Sequence, residues 1–121
     1  MLLAGIALAG AIGAPVRYLV DRNVSNRTRG VFPLGTFVIN VSGSFILGVV
    51  AGFALYHALP EAPRAVLGSG FCGAYTTFST FTYETVALVE ERAYRPALGN
   101  VLLSSIIPAL AAGTGLALAA L

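Results

Sequence analysis

Residues 68–84 read Gly-Ser-Gly-Phe-Cys-Gly-Ala-Tyr-Thr-Thr-Phe-Ser-Thr-Phe-Thr-Tyr-Glu and lie within a long apolar segment. A plain membrane helix would be mostly Leu, Ile and Val, whereas this stretch has glycine at 68, 70 and 73 and then a run of hydroxyl side chains. Each glycine weakens a helix by roughly 1 kcal/mol relative to alanine. Because backbone carbonyls freed at membrane depth must be covered by protein or a polar cavity, the stretch predicts two half-helices with a break near residues 73–77. Ions meet backbone carbonyls at such breaks.

Phe78 and Phe81 follow the predicted break at positions i and i+3, which places both rings on one helix face. The edges of aromatic rings are electropositive, so two rings edge-on to a narrow passage would attract a small anion. Ordinary packing or contact with lipid is the alternative, and the residues alone leave both interpretations open.

The composition indicates a membrane protein. The chain has 121 residues, of which 57% are hydrophobic and 10% charged, and its mean hydropathy is +0.85. Soluble domains carry about 25% charged residues. The single cysteine, Cys72, excludes an internal disulfide, and the single histidine, His57, excludes a histidine-rich metal site. The first apolar run has no basic residue before it and is long enough to span, so it predicts a membrane helix rather than a signal peptide.

Four segments have the roughly 20 residues that a spanning helix needs. We therefore predict one all-α integral membrane domain over residues 1–121. Its helices are expected at about 2–21, 33–57, 62–92 (with the break) and 96–120. The third segment is too long for one straight crossing, which independently supports a bend or break in it.

Polar side chains recur at helical spacing on the second and fourth segments. The second has a small and polar face made of Thr36, Asn40, Ser44, Gly48 and Gly52. The Asn40 amide has two N–H donors suited to an anion, although an interhelical hydrogen bond is the alternative. The fourth carries Asn100, Ser104 and Pro108 on one face. Glu84 shares the face of Phe81, and an acidic group at membrane depth is a functional candidate unless it reaches the headgroups.

These stretches resemble the small bacterial fluoride channels called Fluc, or CrcB, over nearly the whole chain. The matching residues are Gly13-Ala14-Pro15-Val16-Arg17-Tyr18, Gly35-Thr36-Phe37-Val38-Ile39-Asn40 with Gly43-Ser44, and Gly70-Phe71-Cys72-Gly73 with Thr76-Thr77-Phe78-Ser79-Thr80-Phe81 and Glu84. The sequence departs from the family pattern at Asn100, where many relatives have a tyrosine, and at Pro108, where a small or hydroxyl residue is common.

The resemblance implies a fluoride-selective channel, not an enzyme, that exports fluoride passively across the cell membrane and relieves fluoride toxicity. It implies two four-helix subunits packed antiparallel, with two pores, and leaves open whether the partner is a second copy or a paralogue. The implied pore residues are Asn40, Phe78, Ser79, Thr80, Phe81, Glu84 and Ser104. The backbone carbonyls of Gly73 and Thr76 would bind a structural sodium ion at the dimer interface.

Other functions fit the residues less well. A small proton-coupled exporter of organic cations needs a membrane carboxylate in its first helix, and residues 2–20 contain none. A non-transporting membrane assembly protein gives no reason for the Asn40 face or the cluster of Thr and Phe. An intramembrane enzyme needs a nucleophile with a base, and His57 lies at a helix end with no evident partner.

The arginines predict an orientation. Five of them (Arg22, Arg27, Arg29, Arg92 and Arg95) lie in the first and third loops, whereas the second loop has only Arg64. The positive-inside rule therefore places the first and third loops in the cytoplasm and both termini outside. An antiparallel homodimer needs both orientations from one sequence, so this bias favours pairing with an oppositely oriented paralogue.

Overall fold

The computed structural model describes residues 1–121 and is helical, with no β-strand. The elements in chain order are α1 (Leu2–Arg27), α2 (Leu34–Tyr56), α3 (Glu61–Ala65), a π-helix (Val66–Cys72), α4 (Gly73–Tyr75), α5 (Ser79–Glu90) and α6 (Tyr94–Leu118). Three of these, α1, α2 and α6, are long and apolar enough to cross a membrane. The chain is therefore an all-α, multi-pass membrane protein, as its composition predicts.

α1 continues to Arg27 and does not end near residue 21, where we expected it to end. Hydropathy indicates where a helix leaves the apolar layer, but a helix ends only at a backbone stop signal. No glycine or proline follows Asp21 until Gly30. Thr28 ends the helix in an extended conformation, and its N–H and hydroxyl both donate to the Val24 carbonyl, at 3.1 and 2.8 Å.

α2 and α6 are the most extensively packed pair of helices, because small residues lie where they cross. A Cβ atom at Gly48 would collide with the Ala112 carbonyl, and one at Gly115 would collide with the Phe45 carbonyl. Close backbone approach of this kind maximises van der Waals contact, which is a main force between helices in a membrane. The glycine end of the predicted face on α2 thus packs against α6.

Residues 61–75 form the first half of the third segment and pack against α1. A Cβ atom at Gly70 would lie 2.8 Å from the Ile6 carbonyl oxygen, and one at Gly13 would lie 2.6 Å from the Phe71 carbonyl oxygen. These glycines therefore serve close packing between the two helices. The seven π-helical residues were not predicted from the sequence.

Helical structure stops at Tyr75 and resumes at Ser79. Thr76 has extended dihedral angles, φ −74° and ψ 162°. Gly73 has helical angles, φ −61° and ψ −35°, so it lies before the interruption and not inside it as we expected. After the interruption, α5 packs against α6.

Large apolar side chains lie mainly on the outside of the molecule. Leu102, Leu103 and Ile106 on α6 and Val86 and Val89 on α5 are all exposed. Many of the buried positions are instead held by glycine or alanine. Lipid chains are as apolar as leucine, so such side chains gain little from being buried between helices, and this distribution suits a bilayer.

Candidate functional site

A polar cleft of about 290 Å³ lies beside the interruption of the third segment, between α2 and α6. Its walls are formed by Asn40, Ser44, Leu47, Thr76, Thr77, Phe78, Phe81, Ser104, Ser105 and Pro108. No charged side chain is among them. The cleft therefore offers amide and hydroxyl groups and aromatic rings to a small ion, without a fixed charge that would hold it permanently.

Asn40 binds the interruption through both ends of its side-chain amide. Its Nδ2 donates to the Thr77 carbonyl and its Oδ1 accepts from the Thr77 N–H, each at 2.9 Å. In an uninterrupted helix the Thr77 N–H would reach the Gly73 carbonyl. Asn40 thus replaces a helix bond that the interruption removes, and one Nδ2 hydrogen remains for another acceptor.

The interruption lies close to α2 because Gly43 leaves room for it. A Cβ atom at Gly43 would collide with the Thr76 methyl group. Beside it, the Tyr75 side chain is 5% exposed, and its hydroxyl lies 2.9 Å from the Ser42 hydroxyl. The Thr76 hydroxyl donates back to the Cys72 carbonyl at 2.9 Å, which leaves it unavailable to the cleft.

The two phenylalanine rings stand side by side at the cleft. Their centroids are 5.7 Å apart and their planes are inclined by 46°. Phe81 is half-buried, whereas Phe78 is 76% exposed. The pair is therefore in contact with the cleft, but Phe78 also faces away from this chain, where a lipid or another subunit would meet it.

Ser79 and Thr80 belong to a hydroxyl cluster beside the cleft and not to its wall. The Thr77 hydroxyl lies 3.1 Å from the Thr80 hydroxyl and 3.3 Å from the Ser79 hydroxyl, and it accepts from the Thr80 N–H at 3.2 Å. This cluster caps the start of α5. Thr80 also lines a smaller cavity of about 170 Å³ with Arg17 and Asp21.

Glu84 is separate from the cleft. Its Oε1 accepts from the Thr36 hydroxyl at 2.9 Å, and its Oε2 is buried without a hydrogen-bond partner. Thr36 is 3% exposed, so this carboxyl group lies between α2 and α5 and does not reach out from a helix end. The structure thus brings Asn40, Phe78, Phe81 and Ser104 together and leaves Ser79, Thr80 and Glu84 beside them.

Ser104 and Asn100 do not both line the cleft, although both lie on the predicted face of α6. Ser104 is on the wall, whereas Asn100 lies behind it and is 1% exposed. The Ser104 hydroxyl donates to Asn100 Oδ1 at 3.0 Å, and Asn100 Nδ2 donates to the Thr85 hydroxyl at 2.9 Å. Sequence reasoning missed Thr85, although its position one turn after Phe81 was available as a signal.

The backbone carbonyls of Gly73 and Thr76 differ in their partners. The Gly73 carbonyl lacks the N–H donor that Asn40 has taken, so its oxygen is free for another ligand. The Thr76 carbonyl accepts from Arg17 Nη1, in a long bond of 3.3 Å. No group of three His, Cys, Asp or Glu side chains comes together in the chain, so a resident cation would depend on such backbone oxygens.

Fold and cleft together define a class: a multi-pass helical membrane protein with a polar, uncharged cleft beside an interrupted helix. A family model described as CrcB-like protein, Camphor Resistance (CrcB), matches residues 4–116. The chain belongs to this family.

Similar proteins are named as fluoride channels. The "Fluoride-specific ion channel FluC 1" of Leifsonia xyli is 47% identical over 116 residues, which cover 96% of this chain and 85% of that one. The protein of the same name from Nocardia farcinica is 50% identical over 102 residues, 84% of this chain and 69% of its own. "Fluoride-specific ion channel FluC 2" of Mycobacterium bovis is 43% identical over 111 residues, 92% of this chain and 85% of its own.

Proposed function

We propose that this chain is a fluoride-selective channel, not an enzyme, and that it lets fluoride leave the cell passively across the cell membrane and so relieves fluoride toxicity. The observation that carries the proposal is the uncharged cleft at the interruption. Conduction needs sites that bind an ion well enough for it to enter and weakly enough for it to leave. Amide, hydroxyl and ring-edge donors meet both needs, and the similar proteins are named for this ion.

Within the cleft, the proposed fluoride contacts come from three kinds of group. Asn40 contributes its remaining Nδ2 hydrogen, Phe78 and Phe81 contribute ring edges, and Ser104 contributes a hydroxyl group that must turn away from Asn100 to donate to the ion. Ser79, Thr80 and Glu84 are proposed to act at the ends of the path, because they lie beside the cleft and not on its wall. Fluoride would pass between these contacts and exchange one set of hydrogen bonds for another.

We also propose a fourth span. Neither half of the third segment is long enough to cross a membrane alone, so residues 61–90 would cross as two half-helices joined at residues 76–78. Exposed backbone at that depth is acceptable because it lines a polar cleft and is bonded by Asn40. The single domain 1–121 then has four crossings, and both termini lie on one side.

The proposed assembly is an antiparallel dimer. An apolar groove of about 510 Å³ runs along α2 and is lined by Phe37, Val38, Val41, Ser42, Phe45, Ile46 and Ala111. It offers an apolar surface to a second subunit, and the exposed ring of Phe78 at the cleft offers a further contact.

A structural sodium ion at the dimer interface fits the free carbonyl of Gly73 and, less directly, the Thr76 carbonyl. One chain supplies too few of these oxygens to surround a cation, so a second subunit would supply the others. When bound, sodium contributes positive charge near the cleft and ties the two subunits together. Replacing sodium by N-methylglucammonium should therefore slow fluoride efflux, whereas equal rates in the two salts would argue against this ion.

The function is tested with purified protein in liposomes loaded with fluoride. We expect efflux on addition of a potassium ionophore to far exceed that from protein-free vesicles, and chloride-loaded vesicles to show no such increase. Equal fluoride efflux with and without protein would overturn the proposal. The rival cation exporter gains no support, because the one carboxylate of α1, Asp21, lies beyond the apolar run and accepts from the Ser25 hydroxyl at 3.3 Å.

The identity of the partner subunit is tested through orientation. Fusions of a cytoplasmic and an extracytoplasmic reporter to the C-terminus report on which side the chain ends. Activity of the extracytoplasmic reporter alone would support pairing with an oppositely oriented paralogue. Comparable activity of both reporters would show insertion in both orientations, and the partner would then be a second copy.

A further inference from the structure

The side chain of Asn100 connects the wall of the cleft to the helix that carries Phe81. It is 1% exposed and has no contact with the cleft itself. Its Oδ1 receives the Ser104 hydroxyl at 3.0 Å, and its Nδ2 donates to Thr85 Oγ1 at 2.9 Å. Thr85 Oγ1 in turn donates to the Phe81 carbonyl at 2.8 Å. These bonds form one chain of donors and acceptors from α6 to α5.

The Phe81 carbonyl, at the far end of this hydrogen-bond chain, determines which group donates in each bond. The Phe81 carbonyl can only accept, so the single hydroxyl proton of Thr85 is used there. Thr85 Oγ1 can then only accept from Asn100, which must present Nδ2 to it. Asn100 consequently presents Oδ1 to Ser104, and Ser104 must donate. The only hydroxyl proton of Ser104 therefore points to Asn100 and away from the cleft.

Turning the Ser104 hydroxyl proton toward an anion in the cleft costs free energy. Asn100 Oδ1 is buried and Ser104 is its one hydrogen-bond donor, so the turn leaves a buried acceptor unpaired. The neighbouring Ser105 differs, because its hydroxyl donates to the Val101 carbonyl at 2.7 Å. That carbonyl lies within α6 and keeps its backbone helix bond when the Ser105 hydroxyl turns away.

We propose that Asn100 is a positioning residue that holds the Ser104 proton away from the cleft and so weakens fluoride binding at Ser104. This inference rests on the proposed function of the cleft as a fluoride path. Its consequence is that Ser104 contributes lone pairs to the cleft unless an ion is bound strongly enough to turn the hydroxyl. A weak site at this position favours the release of the ion over its retention.

The test is a double-mutant cycle on the fluoride concentration that gives half-maximal efflux from liposomes. Asn100→Leu keeps the branched shape of the side chain but removes the acceptor, so we expect the half-saturating concentration to fall about tenfold. That factor corresponds to the low end of a hydrogen bond to a charged group. In the Asn100→Leu background Ser104→Ala should raise it about tenfold, several times more than Ser104→Ala does in the wild-type background.

A matched control and a second substitution separate positioning from general damage. Ser105 lines the same cleft, and Ser105→Ala should have the same effect with or without Asn100→Leu. Thr85→Val removes the acceptor that fixes the Asn100 amide, so the amide can turn and Ser104→Ala should have a larger effect in that background than in the wild type. Unequal effects of Ser105→Ala with and without Asn100→Leu, or equal effects of Ser104→Ala with and without Thr85→Val, would contradict the proposal.

Equal effects of Ser104→Ala with and without Asn100→Leu would overturn the inference, because Asn100 would then be only structural. If Asn100→Leu does not yield folded protein, Asn100→Ala removes the same acceptor without adding methyl groups and is subject to the same comparison. The wild-type protein is measured in the same series, and fluoride efflux no faster than that of protein-free vesicles would overturn the proposed function itself.

Discussion

The two sides of the third segment are built in opposite ways. On the side that faces α1, contacts are so tight that Gly13 and Gly70 have no room for a Cβ atom. On the other side, the interruption is held by side-chain hydrogen bonds, chiefly those from Asn40 to the Thr77 backbone. One side provides rigid support, and the other presents polar groups to a cleft.

The difference shows that glycines of one motif have separate roles. A Cβ atom at Gly70 meets backbone and side-chain atoms within 3.2 Å, whereas one at Gly73 meets only the Gly68 carbonyl, at 3.8 Å. Gly73 is also exposed. Packing within this chain thus explains Gly70 but gives no reason for Gly73.

The largest effect is expected on the tightly packed side. Gly13→Val places a branched side chain where the Phe71 carbonyl oxygen lies 2.6 Å from an added Cβ, and α1 must then separate from the third segment. We expect no folded protein by size-exclusion chromatography in detergent. Gly10→Ala is the control, because its Cβ would find ordinary contacts at 3.6 Å. A monodisperse Gly13→Val protein would contradict the rigid-support interpretation.

On the cleft side, the phenylalanines should control flux and not folding. Phe81→Ile keeps apolar bulk but removes the aromatic quadrupole, so we expect fluoride efflux to be nearly abolished, by at least about tenfold. The elution profile should stay that of the wild type. Phe78→Ile is measured in parallel, and undiminished efflux from both variants would show that the two phenylalanines serve only in packing.

Asn40 is expected to have the next largest effect. Asn40→Asp keeps the size and the Oδ1 acceptor for the Thr77 N–H but loses the donor to the Thr77 carbonyl and the hydrogen offered to fluoride. We predict loss of fluoride efflux from folded protein, with Asn40→Ser retaining part of the activity. Full efflux from Asn40→Asp would show that Asn40 only joins α2 to the interruption.

Gly73→Val tests whether Gly73 has a role different from that of Gly70. Gly73 has helical dihedral angles and open space around it, so the subunit should still fold, since valine is a better helix former than glycine. If Gly73 lies at the sodium site of a dimer, the branched side chain should nevertheless reduce dimerisation and efflux together. Cross-linking in membranes measures the first, and a normal dimer with normal efflux would contradict the prediction.

The smallest effect is expected at Thr76. Its proposed sodium ligand is the backbone carbonyl, and its hydroxyl donates to the Cys72 carbonyl at 2.9 Å. Thr76→Ser keeps that hydroxyl and removes a methyl group, so efflux should change by less than about twofold. A large loss would show that the methyl contact with α2 at Gly43 matters for the cleft.

The features that depend only on residue type were the most predictable from the sequence. The all-α membrane class follows from composition and run length, because lipid-exposed backbone at membrane depth must satisfy its own hydrogen bonds. Helix boundaries were less predictable, as α1 shows by continuing to Arg27 through polar residues that carry no stop signal. The π-helix and the position of the interruption after Tyr75 could not be predicted, since both depend on how the segment packs against α1 and α2.

At the site, the sequence alone identified which residue types are costly in a membrane, and hence Asn40, Ser104 and Glu84 as groups that need partners. Only the tertiary structure decided what those partners are. Asn40 bonds to Thr77 and Glu84 to Thr36, and each of these bonds joins residues far apart in the sequence, whereas Ser104 bonds to Asn100 one turn away on α6. Spacing along a helix determines which side chains share a face, whereas a hydrogen bond depends on distances of about 3 Å that are set when helices pack.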